Sequence, residues 1–401
     1  MEPGSNTGKE IIEARDWSDL QMDLISLITK KLCDLPNFTR FRTVCKTWSS
    51  APPSSCPPQF PWLLEWQGEE PFTLVLNREQ KFYSLSSGET GKISIDECHC
   101  GKEFRGPCQG YLILLQRQGE SSGISLFNPL TKDEISLPPL PFGLHWPVYT
   151  NINQTGKEVV VVDQDLFKPG EKGKLGYHHA DNNEWIHVEG EFRNCCYSYG
   201  MFFSTKTGRE TEVYNVTTKK MLHKVPSPEG EIESQGSSVS ASVYLVESSE
   251  GILRVSWYMD WHKGKVEESV FHIHRLDIHG AKGHPCWVKI SSIDDRMIFL
   301  DEFNGFSINA KPFTGFQGNC IYFLHHWLQK LHRYDIKSGT FETVPCPFEE
   351  CTWFVPSLEQ LSSSGPAVVT DVPEKVMKVE ESAKDAGVEY SAPKHGKIAG
   401  C

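Results

Sequence analysis

The spacing of hydrophobic positions changes after about residue 60, and this change divides the chain. In residues 17–50 apolar side chains recur every three or four positions, which is the period of an amphipathic helix. Ser18 can cap a helix that begins at Asp19, Pro36 interrupts the pattern, and Pro52 ends it. We predict two or three short helices, with more apolar surface than so small a unit can bury alone.

Beyond the Pro-rich stretch the period of apolar positions becomes two, which is typical of β-strands. Gly, Asn, Asp and Ser clusters separate the predicted strands, and a strand–turn–strand unit recurs along the chain. The unit can be anchored on Tyr83, Phe127, Tyr177, Tyr214, Leu276 and Tyr334. Repeats of this size are typical of propeller blades, so we predict an all-β, propeller-like domain of about six blades. Two stacked sheets with recurring hairpins are the alternative.

The fold class expected is therefore α+β and multidomain, with a small helical domain before the propeller and a tail after it. The predicted units are a disordered N-terminus (1–14), a helical domain (15–51), a Pro-rich linker (52–61), the propeller-like domain (62–356) and a disordered tail (357–401). The tail is assigned from its Ser, Pro, Gly and charged residues and its lack of Trp and Phe.

The amino-acid composition argues against several classes of function. The formal charge of the 401 residues is −12, and no run of Lys or Arg exceeds two, which argues against a nucleic-acid partner. No apolar run approaches the ~18 residues of a membrane span. Residues 1–9 are polar, so we expect no secretory signal, a cytoplasmic or nuclear location, and free thiols for the 13 cysteines.

Catalytic chemistry finds little support in the sequence. It contains no phosphate-binding glycine loop, no nucleophilic-serine motif and no zinc-protease motif, so we expect a non-enzyme without cofactor or metal. Two groups of potential metal ligands occur in the sequence, and the second is the only hint of a metal-binding or enzymatic propeller, which stays open as an alternative. They are Cys98, His99, Cys100 and Cys108, and His272, His274, His279, His284 and Cys286. In the first group, the Cys-x-Cys pair with one further cysteine lacks a clear fourth zinc ligand. The second group fits an ordinary strand with one polar face.

The segment from Trp17 to Trp48 resembles an F-box, most specifically in its ending, Phe-Arg-Thr-Val-Cys-Lys-Thr-Trp over residues 41–48. This resemblance implies binding to a Skp-type adaptor and, through it, to the cullin of an SCF ubiquitin ligase. Carried over by position, the adaptor-binding residues would be Leu20, Leu24, Ile25, Ile28, Leu32, Val44, Cys45 and Trp48. Gln21 stands where the family usually has proline, which leaves open a scaffold protein whose degenerate F-box has no link to ubiquitin.

Residues 15–356 resemble the large plant F-box family whose C-terminal domain, of unknown function, is described as kelch-like. The resemblance is carried by Leu-Phe-Asn-Pro-Leu-Thr from residue 126, Trp-Val-Lys-Ile from residue 287 and Gly-Asn-Cys-Ile-Tyr-Phe from residue 318. It implies that the β domain captures a protein substrate for ubiquitination. The Phe- and Gly-rich residues 301–318 supply weak substrate-binding candidates: Phe303, Phe306, Phe313 and Phe316.

Overall fold

A computed structural model describes residues 17–358 with several gaps. The gaps are 33, 51–56, 66–73, 109, 119–120, 143–146, 153–156, 164–171, 182–183, 193, 206–209, 230–238, 261, 263–265, 281–282, 302–304 and 326–329. The N-terminus predicted to be disordered, nearly all of the predicted tail and part of the Pro-rich linker lie outside the described residues. Among the described helices, none has the length and apolar character needed to cross a membrane.

The N-terminal unit consists of a 3₁₀ turn (Trp17–Asp19) and helices α1 (Met22–Thr29), α2 (Leu35–Arg42) and α3 (Lys46–Ser49). Helix α1 begins later than predicted, because Gln21 has an extended backbone with ψ of 139°. Helix α2 begins where its sequence favours a start. The Asp34 carboxylate accepts the N–H of Asn37 at 3.3 Å, and Pro36 lies in the first turn, where proline is tolerated.

The described residues of the β domain form 25 strands. The first eleven are β1 (Trp62–Glu65), β2 (Glu79–Ser84), β3 (Glu89–Ser94), β4 (Glu103–Cys108), β5 (Tyr111–Gln118), β6 (Ser121–Phe127), β7 (Glu134–Ser136), β8 (Pro147–Ile152), β9 (Glu158–Asp163), β10 (Gly173–His179) and β11 (Ile186–Gly190). The next eight are β12 (Cys195–Ser198), β13 (Met201–Thr205), β14 (Thr211–Asn215), β15 (Lys220–Val225), β16 (Val239–Ser248), β17 (Gly251–Asp260), β18 (Val270–Asp277) and β19 (Cys286–Ile290). The last six are β20 (Arg296–Leu300), β21 (Gly305–Asn309), β22 (Cys320–His325), β23 (Lys330–Asp335), β24 (Thr340–Val344) and β25 (Cys351–Phe354).

These strands form six separate sheets, which are the blades of a propeller. Blade 1 has the order β25-β1-β2-β3, and blades 2 to 5 each contain four consecutive strands between β4 and β19. One edge strand of each sheet contacts that of the next, in the series β25, β4, β8, β12, β16 and β21. The predicted six-bladed propeller is therefore confirmed, and the alternative of two stacked sheets does not apply.

Blade 6 differs from the others because it has five strands in the order β21-β20-β22-β23-β24. Strand β20 pairs antiparallel with β21 and parallel with β22, so the chain turns back on itself before it continues outward. The sequence predicts β20 and β22, but it does not predict β21, which lies inside the stretch proposed as a substrate-binding loop.

The hydrophobic core lies between blades, so an inner strand is covered on both faces. In β9, Val159 and Val161 pack toward blade 2, in the cluster that holds Ile113. Val160 and Val162 pack toward blade 4, in the cluster that holds Phe202. A strand buried on both sides needs an unbroken apolar run instead of an alternating pattern, which explains the four consecutive valines.

The ring is closed by pairing the two ends of the β domain. Strand β25 pairs antiparallel with β1, in a register that sets Trp62 opposite Phe354. The Asp301 carboxylate after β20, only 2% exposed, accepts the hydroxyl of Thr352 at 2.7 Å and the backbone N–H of Trp353 at 3.3 Å. The Trp353 indole N–H donates to the Leu300 carbonyl at 3.0 Å, so β25 joins blade 6 to blade 1.

The N-terminal helices pack directly on blade 1. Leu35 and Phe38 of α2 enter the core cluster that contains Trp62 and Phe354. The Ser84 hydroxyl of β2 donates to the Asp34 carboxylate at 3.2 Å. Helix α2 is therefore fixed to the blade that contains the ring closure.

We expect Asp301→Ala to weaken ring closure, because it removes a charged acceptor from two buried donors. The free energy of unfolding should fall by about 2–3 kcal/mol, measured by urea denaturation. The matched control is Asp295→Ala, which removes an exposed carboxylate 2.7 Å from the ammonium of Lys311. Because such surface ion pairs contribute little, the control should denature like the unaltered protein, and equal curves for both variants would contradict the closure role of Asp301.

Candidate functional site

Large apolar side chains are concentrated on the outside of the N-terminal helices. Ten large hydrophobic side chains are exposed among the described residues, and six of them belong to this unit. They are Trp17, Met22, Leu24, Leu27, Ile28 and Val44, which we call the apolar helix surface; Trp17 is 69% exposed and Val44 is 55% exposed. Single exposed hydrophobics are ordinary, whereas such a concentration is typical of an interaction site.

Helix geometry explains how α1 contributes to this surface. Leu24, Leu27 and Ile28 are three and four residues apart, so they share one face of the helix. The neighbouring face carries Ile25 and Thr29, four residues apart and both fully buried, and Ile25 packs against Phe41 of α2. The period of 3.6 residues thus separates an inner apolar face, which holds the helices together, from an outer one.

Helix α3 completes the unit through Trp48. Its ring lies 4.6 Å from the ring of Phe41, and its indole N–H donates to the Trp17 carbonyl at 3.3 Å. Leu20 and Leu32 are partly buried around the same small cluster. Trp48 therefore connects the two ends of the helical unit and presents only part of its ring to solvent.

The eight adaptor-binding residues predicted from the F-box resemblance fall into three groups. Leu24, Ile28 and Val44 are exposed on the apolar helix surface. Ile25 is fully buried and supports that surface from beneath. Leu20, Leu32, Cys45 and Trp48 are half-buried.

The sequence-based set omits three exposed residues, Trp17, Met22 and Leu27. Leu27 had a usable signal, because it follows Leu24 by three positions on the same helical face. Trp17 and Met22 had none, since their exposure depends on where the 3₁₀ turn ends and α1 begins.

Gln21, the departure from the family pattern, does not prevent α1 from starting. Its carbonyl accepts the backbone N–H groups of Leu24 at 3.0 Å and Ile25 at 3.1 Å. Its side chain makes no capping hydrogen bond. The first turn of α1 therefore forms without a proline at this position.

The weak substrate-binding candidates occupy a different environment from the one expected for a binding loop. Phe313 is buried, and its ring lies 5.2 Å from the ring of Phe60, edge to face. Phe316 lies 4.0 Å from the same ring, while Phe306 of β21 stacks on Phe299 at 5.3 Å. Phe313 lies in the core between blades 6 and 1, to which Phe60, just before β1, contributes its ring, and half-buried Phe306 and Phe316 pack against this core. Phe303 lies outside the described residues.

The first group of potential metal ligands has other partners. His99 Nε2 lies 3.0 Å from the Glu134 carboxylate, and its Nδ1 lies 3.3 Å from the sulfur of Cys98. Burial raises the pKa of Glu134, but hydrogen bonds from His99 and Ser125 and the nearby Lys102 outweigh burial and lower it. The His99 ring also stacks on Phe127 at 4.1 Å, so this histidine has a structural environment.

In the second group, His272 and His274 lie on β18 with their side chains on the same face of the strand. His274 is buried and His272 is half-buried. Across the part of the chain that the structure describes, no three His, Cys, Asp or Glu side chains are arranged to hold a metal ion.

Comparison with known proteins identifies the family of the β domain. Residues 82–343 match the family model described as the KIB1-4 beta-propeller, and this stretch is about two thirds of the chain. This chain belongs to the KIB1-4 beta-propeller family. The match begins within β2 and ends within β24, so it includes neither the N-terminal helices nor the two strands that close the ring.

Several relatives of this KIB1-4 propeller chain come from Arabidopsis thaliana and are named F-box proteins. An F-box protein is 22% identical over 346 residues, which cover 78% of this chain and 96% of the relative. A putative F-box protein is 22% identical over 354 residues, covering 77% and 83%. A second F-box protein is 30% identical over 131 residues, and the chain spans only 29% of that relative's length.

Solved structures resemble the propeller only distantly. TolB from Acinetobacter baumannii is 9% identical, with 79% of this chain and 71% of TolB covered, at a TM-score of 0.41. A likeness this low supports no conclusion about function.

Two neighbouring residues of α1 test the division into inner and outer faces. Ile25→Ala should lower the stability of the helical unit by about 2–4 kcal/mol, because it leaves a cavity under α1. Leu24→Ala is the matched control, since Leu24 is 46% exposed and its removal leaves no buried cavity. Hydrogen exchange at the amides of α1 and α2 measures the difference. Equal protection in the two variants would contradict the assignment of faces.

Proposed function

We propose that this protein is the substrate-recognition subunit of an SCF-type E3 ubiquitin ligase. In this proposal the helical unit binds a Skp-type adaptor, and the adaptor connects the protein to a cullin. The propeller captures a protein target for ubiquitination, and the chain itself is non-catalytic. The observation that carries the proposal is the apolar helix surface. It lies on a unit whose sequence resembles an F-box, in a chain whose relatives include proteins named F-box proteins.

The composition of the surface fits a protein partner. Leu24, Leu27 and Ile28 present adjacent apolar side chains, and Trp17 adds a large aromatic ring. Burial of such side chains supplies most of the free energy of association, and aromatic residues are enriched at the centres of interfaces. An adaptor helix with a complementary apolar groove or face would cover this surface.

The attachment of α2 to blade 1 supports the same function. Leu35, Phe38 and Asp34 fix the helices to the propeller through apolar packing and a hydrogen bond. A target held by the propeller would then stand at a defined distance from the rest of the ligase. The benefit of such an arrangement is a high effective concentration of target and a fixed orientation.

The main alternative is a propeller scaffold with a degenerate F-box, and its sequence support is Gln21. That support is reduced by the regular first turn of α1, in which the Gln21 carbonyl accepts two backbone N–H groups. Two features stay predictions: the location of the protein in the cytoplasm or nucleus, and the kelch-like origin of its blades.

Adaptor binding is the test that separates these functions. Co-expression with a Skp-type adaptor, followed by size-exclusion chromatography, should give a stoichiometric complex. Leu24→Asp combined with Ile28→Asp should weaken this complex about 100-fold or more, because each charge would be buried in an apolar contact. The affinity is measured by isothermal titration calorimetry on purified proteins.

The control is a double variant with Met221→Asp and Val288→Asp, which changes two similarly exposed apolar side chains of the propeller. It should bind the adaptor like the unaltered chain. Trp48 is unsuitable for this test, because its packing on Phe41 maintains the helical unit. Full binding by the Leu24/Ile28 variant would refute the assigned surface, and a folded, unaltered chain that elutes alone would favour the scaffold.

A further inference from the structure

Two thiols lie close together where the chain enters the strand that closes the ring. Cys346 follows β24, Cys351 begins β25, and their sulfur atoms are 3.9 Å apart. Residues 345–350 between the two strands have no regular secondary structure. Both cysteines are half-buried, and Cys346 lies between Pro345 and Pro347, which are exposed. The two sulfurs are therefore close together and near solvent, and the segment that joins them has no regular secondary structure.

The two sulfurs differ in their ionisation. A hydrogen bond from the Cys351 thiol lowers the pKa of Cys346 to about 7, although burial opposes this effect. The same hydrogen bond, burial and the negative charges of Cys346, Asp301 and Glu65 raise the pKa of Cys351. Tyr83 also faces Cys346, and burial together with the thiolate charge raises the pKa of its hydroxyl. These directions favour Cys346 as the thiolate and Cys351 as the thiol that donates to it.

Three other cysteines that the structure describes in the propeller differ from this pair. Cys195 and Cys196 of β12 are buried, and desolvation raises the pKa of Cys195 to about 12. Cys98 is exposed, and its sulfur lies beside a ring nitrogen of His99. Closeness to a second thiol and a stabilised thiolate coincide at Cys346.

We propose that Cys346 and Cys351 form a modification site, at which hydrogen peroxide converts the two thiols into a reversible intramolecular disulfide. The Cys346 thiolate attacks one peroxide oxygen, so an S–O bond forms, the O–O bond breaks and the departing hydroxide takes a proton to become water. The Cys351 sulfur then loses its proton and attacks the resulting sulfenic acid. An S–S bond forms as the S–O bond breaks and water leaves. The pair gives up two electrons and two protons, and peroxide is reduced to two water molecules.

The geometry requires only a local movement. A disulfide has an S–S distance of about 2.05 Å, so the sulfurs must approach by about 1.9 Å. The irregular residues 345–350 can absorb this change, while β25 keeps its pairing with β1. The bond would link the end of blade 6 covalently to the strand that completes blade 1. It lies outside the apolar helix surface and does not depend on the proposed ligase function.

Peptide mapping of the full-length chain tests the site. The protein is treated with hydrogen peroxide, free thiols are blocked with iodoacetamide, and trypsin releases residues 338–375, which contain these two cysteines and no other. We expect this peptide to be lighter by two hydrogen atoms and to carry no alkyl group. Dithiothreitol should restore two alkylatable thiols. Two alkylated thiols after peroxide, or a sulfinic acid without a disulfide, would overturn the proposal.

Single substitutions assign the two roles. In Cys351→Ser, the sulfenic acid should accumulate on Cys346 and be trapped by dimedone, whereas Cys346→Ser should give no adduct on Cys351. Cys98→Ser is the matched control and should leave the yield of the disulfide unchanged. Thermal denaturation checks that each variant is folded. Dimedone labelling of Cys351 in place of Cys346 would reverse the assignment and refute the mechanism as written.

Discussion

The two ends of the ring of blades are joined by one short strand, and the rest of the fold depends on this closure. Strand β25 pairs with β1, while Asp301 and the Leu300 carbonyl bind it from blade 6. A buried carboxylate is tolerated there because it accepts two hydrogen bonds. The family match ends before this strand, so the closure depends on a segment outside the matched region.

The same corner of the molecule supports the N-terminal helices. Phe354 of β25 and Phe38 of α2 belong to one hydrophobic cluster with Trp62. Ring closure and attachment of the helices are therefore coupled by packing. Cys346 and Cys351 lie at the entrance to the closing strand, so a bond between them would act on this corner of the molecule.

The helical unit has more apolar surface than it can bury by itself. Part of this surface is covered inside the unit or by blade 1, and part is exposed. Ile25 and Phe41 form a small core inside the unit, and Leu35 and Phe38 are covered by blade 1. Leu24, Leu27 and Ile28 have no such cover from the described residues of this chain and are exposed. Packing on the propeller thus uses one part of the apolar surface and leaves another for a partner.

The periodic features can be predicted from the sequence alone: the helical segment, the strand–turn–strand unit that recurs about six times and the F-box-like ending at Trp48. These depend on local spacing, because a helix or strand repeats its faces over a few residues. Tertiary structure alone decided which apolar residues are available. It buried Ile25 next to exposed Leu24, added β21 to blade 6 and packed Phe313 and Phe316 against Phe60. Exposure and ring closure arise from contacts between residues far apart in the chain, and local spacing carries no information about such contacts.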